Sequence, residues 1–173
     1  MLGIPTLGGT FAGAQCANNQ GQVIGQSNLA GDVGCTGSLD FCAQHAFSWD
    51  HGRLTDLGTL GRRFSVAIWL NNEGEAVGGS TTTNDESFHA TLWRNGQITD
   101  LGTLDGDCFS IALAINSKNQ IVGQSFPCDF SSVRAVLWEK GTIIDLNAAI
   151  PPDSSLPLRE TFNMRPHFPA DCL

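Results

Sequence analysis

The sequence predicts an all-β protein of about three four-stranded antiparallel, blade-like repeats, each of ~45 residues, as in a partial β-propeller. An open β-solenoid or stacked β-array is the alternative, because it uses the same units without closing. Three observations carry the prediction. First, a motif recurs in order: Leu92-Trp93-Arg94-Asn95-Gly96-Gln97-Ile98-Thr99-Asp100-Leu101-Gly102-Thr103-Leu104 is matched by Ser48-Trp49-Asp50-His51-Gly52-Arg53-Leu54-Thr55-Asp56-Leu57-Gly58-Thr59-Leu60 and by Leu137-Trp138-Glu139-Lys140-Gly141-Thr142-Ile143-Ile144-Asp145-Leu146. Second, Trp49, Trp93 and Trp138 stand 44 and 45 positions apart, and a fixed period of that size marks a repeat architecture. Third, short apolar runs are separated by turn signals rich in Gly and Asn, the pattern of many short strands. The repeats fall at about 2–57, 58–101 and 102–147, in a single β-repeat domain over 1–147. The Pro-rich stretch 148–173 reads as a tail that holds the start of a truncated further repeat.

Each unit reads as strands a to d. Strand a covers roughly 11–18, 64–71 and 109–116. In it Ala14, Cys16 and Asn18 correspond to Ala67, Trp69 and Asn71, then to Ala112, Ala114 and Asn116. Such spacing predicts regular strand alternation. The next turn ends in Gly21, Gly74 and Asn119, the residue types that accept the left-handed backbone a tight hairpin needs. Strand b follows as Gln22-Val23-Ile24-Gly25, Glu75-Ala76-Val77-Gly78 and Gln120-Ile121-Val122-Gly123. Strand c is 45–49, 89–93 and 134–138. Its apolar residues on both faces predict a sheet packed against a neighbour on each side. His51-Gly52, Asn95-Gly96 and Lys140-Gly141 fit two-residue type I′ turns, and strand d ends at Asp56-Leu57, Asp100-Leu101 and Asp145-Leu146.

Composition narrows the function classes. The chain has 173 residues and a formal charge of −8, without a basic cluster, so nucleic acid and anionic membrane are poor partners. No apolar run approaches the roughly 20 residues that span a bilayer. Six Cys without zinc-like spacing predict disulfides and an oxidising compartment. The N-terminus, however, lacks a signal peptide. Together these predict a piece of a longer secreted precursor, localised outside the cell.

The units resemble the HAF repeat family, extracellular repeats found in bacterial proteins. The resemblance rests on His45-Ala46-Phe47, Trp49, Gly52, Thr55-Asp56-Leu57-Gly58-Thr59-Leu60, Asn71-Asn72 and the strand b glycines, and covers roughly 2–147. The second copy departs as His89-Ala90-Thr91 and the third replaces His with Arg134. The resemblance implies a secreted, propeller-like repeat protein and no reaction.

Candidate chemistry follows from register. A hairpin centred on His51-Gly52 places His45 diagonal to Asp56. The same count relates His89 to Asp100 and Arg134 to Asp145. Replacement of His by Arg argues for a structural partner of a carboxylate rather than a catalytic imidazole. Cys108 and Cys128 are equidistant from Lys118, so folding strands a and b together predicts a disulfide. Cys35 and Cys42 are a second candidate pair within one loop. Cys16 reads as a buried small apolar residue, and Cys172 is left over. Asp105-Gly106-Asp107 and Asn84-Asp85-Glu86 carry oxygen ligands without full calcium-loop spacing, so no metal, cofactor or catalytic residue is assigned.

Alternating connections put the a–b and c–d turns at one end of each sheet and the b–c loops at the other. Those loops, roughly 27–44, 80–88 and 125–133, differ among units and contain Phe41, Phe88, Phe126 and Phe130. Recognition is expected there. The expected function is a non-catalytic extracellular module for binding or adhesion, with a protein or glycan ligand. The alternative is a fragment of a secreted propeller-type glycan hydrolase or lyase. Expected partners also include the remaining blades of a longer protein, or self-association.

Overall fold

Short apolar runs punctuated by glycine-bearing turns fold into twelve strands among the described residues. The computed structural model describes Gly3, residues 5–31 and residues 43–148. Strands β1 (Gly8–Ala17), β2 (Val23–Leu29), β3 (Gln44–Asp50) and β4 (Arg53–Gly58) form an antiparallel sheet in that order. The pattern repeats in β5 (Ser65–Leu70), β6 (Ala76–Thr81), β7 (Phe88–Arg94) and β8 (Gln97–Asp100). It repeats again in β9 (Asp107–Ile115), β10 (Ile121–Pro127), β11 (Arg134–Glu139) and β12 (Thr142–Asp145). The protein is all-β, and its only helical feature among the described residues is a 3₁₀ turn at Thr83–Asp85. A single parallel bridge, Phe88 to Phe109, links the second set of four to the third, so that β5–β12 form one eight-stranded hydrogen-bonded sheet; each set of four is called a sheet below. Gln44 and Phe64 make the corresponding bridge between the first set and the second.

The a–b turns are built by their first asparagine. Asn18, Asn71 and Asn116 each accept two backbone N–H bonds on Oδ1, from the second and fourth residues on, at 2.9–3.1 Å. Each also donates from Nδ2 to the side chain of Gln22, Glu75 or Gln120. The short polar side chain thus replaces a backbone turn. Gly21, Gly74 and Asn119 close it with φ of 80°, 80° and 62°. The c–d turns have both central residues at positive φ, at His51-Gly52, Asn95-Gly96 and Lys140-Gly141, as type I′ hairpins require.

Strand a is not regularly alternating. Its register slips by one residue between Ala14 and Cys16, between Ala67 and Trp69, and between Val122 and Gly123 on the partner of Ala114 and Ala112. Each slip is a β-bulge, which turns the residues on either side to opposite faces. The bulge pushes a carbonyl towards strand b. A Cβ on Gly25, Gly78 or Gly123 would lie 1.9–2.0 Å from the oxygen of Gly13, Val66 or Ile111. Only glycine fits there, which accounts for the repeated strand b glycine.

Apolar side chains on both faces of the middle sheet find different partners. Trp93 and Ala76 pack with Cys16, Ile24 and Ala46 of the first sheet. Val77, Ala90 and Leu92 pack with Ile121, Val136 and Trp138 of the third. The core therefore lies between consecutive sheets. Buried serines clasp these junctions. Ser65 accepts from Ala46 N–H and donates to Gly58 C=O at 2.8 and 2.7 Å. Ser110 does the same with Ala90 and Gly102, both at 2.8 Å. A second set, Ser27, Ser80 and Ser125, accepts from the N–H of Leu7, Leu60 and Leu104.

Candidate functional site

The register of the c–d hairpins sets what the repeated histidines do. Phe47 pairs with Asp56 and Thr91 with Asp100. The diagonal imidazoles then reach the carboxylates: His45 Nδ1 lies 2.9 and 2.8 Å from the Asp56 oxygens, and His89 Nδ1 lies 3.0 and 2.9 Å from those of Asp100. The same aspartates accept the N–H of Gly58 and Gly102 at 2.8 Å, so they also shape the chain leaving strand d. Asp145 keeps that second role, accepting from Asn147 N–H at 2.8 Å. It does not bond Arg134. The longer guanidinium turns instead to Asp107, with Nη2 at 2.5 Å from Oδ1 and Nε at 3.1 Å from Oδ2. The expected Arg134–Asp145 pair is therefore replaced by a two-point pair with the strand that starts the same unit.

Asp107 is nearly inaccessible, with 1% of its side chain exposed. Burial alone raises its carboxyl pKa. Hydrogen bonds from Arg134 and from the Ser125 hydroxyl at 2.6 Å, with the cationic charge of Arg134, outweigh that effect and hold it below the ordinary 3.8. These partners occupy the carboxylate, so Asp105-Gly106-Asp107 is a structural turn rather than an open cation loop. Asp85 is likewise engaged. It accepts from the Thr81 hydroxyl at 2.6 Å and from the N–H of Arg62 and Arg63, and its pKa is lowered chiefly by the Thr81 bond.

The b–c end of the third sheet carries a distinct assembly. Cys108 and Cys128 form a disulfide with Cα atoms 4.9 Å apart, fixing the loop to strand β9. Next to it Phe109 pairs with Phe126 across the strands. Phe130 stacks on Phe109 with ring centroids 4.6 Å apart and planes 18° from parallel, and lies 6.0 Å from Phe126. Phe130 is 61% exposed and has φ of 54°. Val133, three residues further on, is also exposed.

Other candidates fall elsewhere. Phe126 lies in strand β10 rather than in the loop, and Phe88 is likewise a strand residue, the first of β7. Its ring occupies the space over Gly79, where a Cβ would meet it at 2.2 Å, and lies 6.0 Å from Phe64. Trp93 and Trp138 are buried between sheets, whereas Trp49 is half-buried. Cys16 is buried but is not a free thiol: it is disulfide-bonded, with its partner outside the described residues. Cys35, Cys42 and Phe41, as well as Cys172, also lie outside the described residues.

A cleft of about 520 Å³ opens at the opposite, turn end, between the second and third sheets. Leu92, Ile121 and Trp138 line it together with Arg94, Lys118 and Lys140 and the acidic Asp100 and Glu139; Arg94 pairs with Glu75, and Lys140 lies 4.0 Å from Glu139. The repeat motifs do not announce this cleft, because it arises from the packing of two units. Among the described residues no group of three His, Cys, Asp or Glu side chains is placed to hold a metal. Comparison with family models, with curated proteins and with solved structures finds no match.

Proposed function

We propose that the protein is a non-catalytic extracellular binding module whose units are consecutive blades of a partial β-propeller. The observation that carries the binding role is Phe130: an exposed aromatic ring, stacked on Phe109 and held on a loop tied down by Cys108–Cys128. Left-handed backbone at a bulky residue costs about 1–2 kcal/mol, and such strain gathers where a side chain must be presented. A rigid aromatic platform offers apolar area at little entropic cost. It suits the apolar face of a sugar ring or an apolar side chain of a protein partner.

Two further features support a non-catalytic reading. The repeated imidazoles bond aspartates that also shape the backbone, in two units alike. Catalysis needs a unique constellation instead. The Cys108–Cys128 disulfide favours an oxidising, extracellular compartment. The resemblance to HAF repeats points the same way.

The test is binding of the folded chain to a panel of immobilised polysaccharides and bacterial surface proteins, with Phe130→Ala as the comparison. Binding that drops about tenfold or more in the variant, with an unchanged melting temperature, supports the platform. Equal binding by both forms contradicts it. The turn-end cleft supports a second reading, in which Lys118 recruits an anionic group over an apolar floor, Arg94 and Lys140 being paired with Glu75 and Glu139. Loss of binding in Lys118→Ala, but not in Phe130→Ala, is its signature.

A further inference from the structure

Each internal junction joins the rear face of one sheet to the front face of the next. Equivalent positions show which faces remain bare. On the rear, Ile24, Val77 and Val122 hold the same place in strand b. The first two are fully buried, while Val122 is 42% exposed. Ala46 and Ala90 are fully buried, but their counterpart Ala135 is exposed. Ile144 adds a further exposed aliphatic side chain in β12. The front faces show the converse. Ala67 and Ala112 are fully buried, whereas Ala14 is exposed, and Trp49 is less buried than Trp93 or Trp138. The described structure thus has a bare rear face on the third sheet and a bare front face on the first.

We propose that these two faces dock on each other between two copies of the chain, head to tail. The molecule shows twice what covers such a rear face. Strand a of the following sheet, β5 or β9, lies over the preceding strands a, b and c and makes one parallel bridge to strand c. β1 is the same strand with its front face free. Its alanines and Trp49 complement Val122, Ala135 and Ile144 as the corresponding residues do inside the chain. The contact is heterologous, so it closes into a ring where the rotation permits and otherwise extends. One difference sets its strength. Ser65 and Ser110 clasp the internal junctions, but Ala12 occupies their place in β1. The intermolecular junction lacks that buried hydroxyl, so it is weaker than the internal ones and depends on concentration.

The experiment is sedimentation of the full 173-residue chain over a concentration series up to about 1 mM. Wild type is compared with Ala14→Lys, Val122→Lys and Ile144→Lys. All three positions are exposed, so the variants retain the fold, with circular dichroism as the check. The expected result is a mass that rises with concentration in wild type and association at least about tenfold weaker in each variant, since an unpaired charge opposes apolar docking. An equimolar mixture of Ala14→Lys and Val122→Lys regains one contact, because one copy keeps its rear face and the other its front. A wild type monomeric throughout overturns the proposal. So does an Ala14→Lys chain that associates as wild type does, which indicates a rear-to-rear pair, or a mixture that stays monomeric.

Discussion

The two ends of the sheets are built by different rules. At the turn end, the three a–b turns use one asparagine device, with the same four-residue span and a side-chain partner at the same position, Gln22, Glu75 or Gln120. At the b–c end, the two described loops are fastened differently. Asp85 holds the backbone of Arg62 and Arg63 in the second unit. A disulfide and the Asp107–Arg134 pair do the work in the third. The third unit adds the stack of Phe130 on Phe109. Where the chain must make the next unit, its solution is fixed by backbone geometry. Where it only has to close a loop, several solutions serve, and surface chemistry is free to vary.

The largest expected effect sharpens the b–c side of this contrast. Replacing Cys108 and Cys128 together by serine releases a 20-residue separation and costs about 3 kcal/mol by loop entropy. Urea unfolding measures it, and an unchanged midpoint would show that the third loop is held by Asp107 and Arg134 alone. On the turn side, Asn71→Ala removes three hydrogen bonds from a buried side chain. The expected loss is about 2 kcal/mol, against about 1 kcal/mol for the exposed Asn116→Ala. Equal losses would mean that burial does not distinguish the turns.

Acid dependence comes next. The folded pKa of Asp107 lies below its ordinary 3.8. Folding therefore favours the ionised form. That stability is present above the unfolded-state value and is lost as pH falls through the folded one. Asp107→Asn should flatten the fall in stability below the ordinary carboxylate range, measured by urea unfolding along a pH series. The same slope in variant and wild type breaks the assignment. The smallest effect belongs to Phe130→Ala, within about 0.5 kcal/mol of wild type, because its ring is mostly exposed.

Much of this was legible from the period. The twelve strands, the I′ turns, the His45–Asp56 and His89–Asp100 contacts and the Cys108–Cys128 bridge all follow from register counted across hairpins. What escaped was structure that breaks period two or joins separate units. The bulge turns Ala14 and Cys16 to opposite faces, although their spacing reads as one face. Ser65 and Ser110 belong to no motif singled out from the sequence, yet their hydroxyls lie at the heart of the junctions. The recurring Phe-Ser and Gly-x-Ser pairs at 64–65, 109–110, 25–27, 78–80 and 123–125 were the available signal. The Arg134–Asp107 pair escapes a register count across the c–d hairpin, because Asp107 lies on another strand. A guanidinium reaches farther than an imidazole, and a buried carboxylate lay nearby on β9.

On the proposed reading, recognition belongs to the variable end and construction to the repeated end. The most direct measurement is an alanine scan of binding across both ends, with Phe126, Phe130 and Val133 on one side and Arg94, Lys118 and Lys140 on the other. Affinity is expected to fall only for the first set. Losses confined to the second set would place the ligand in the cleft between units and contradict it.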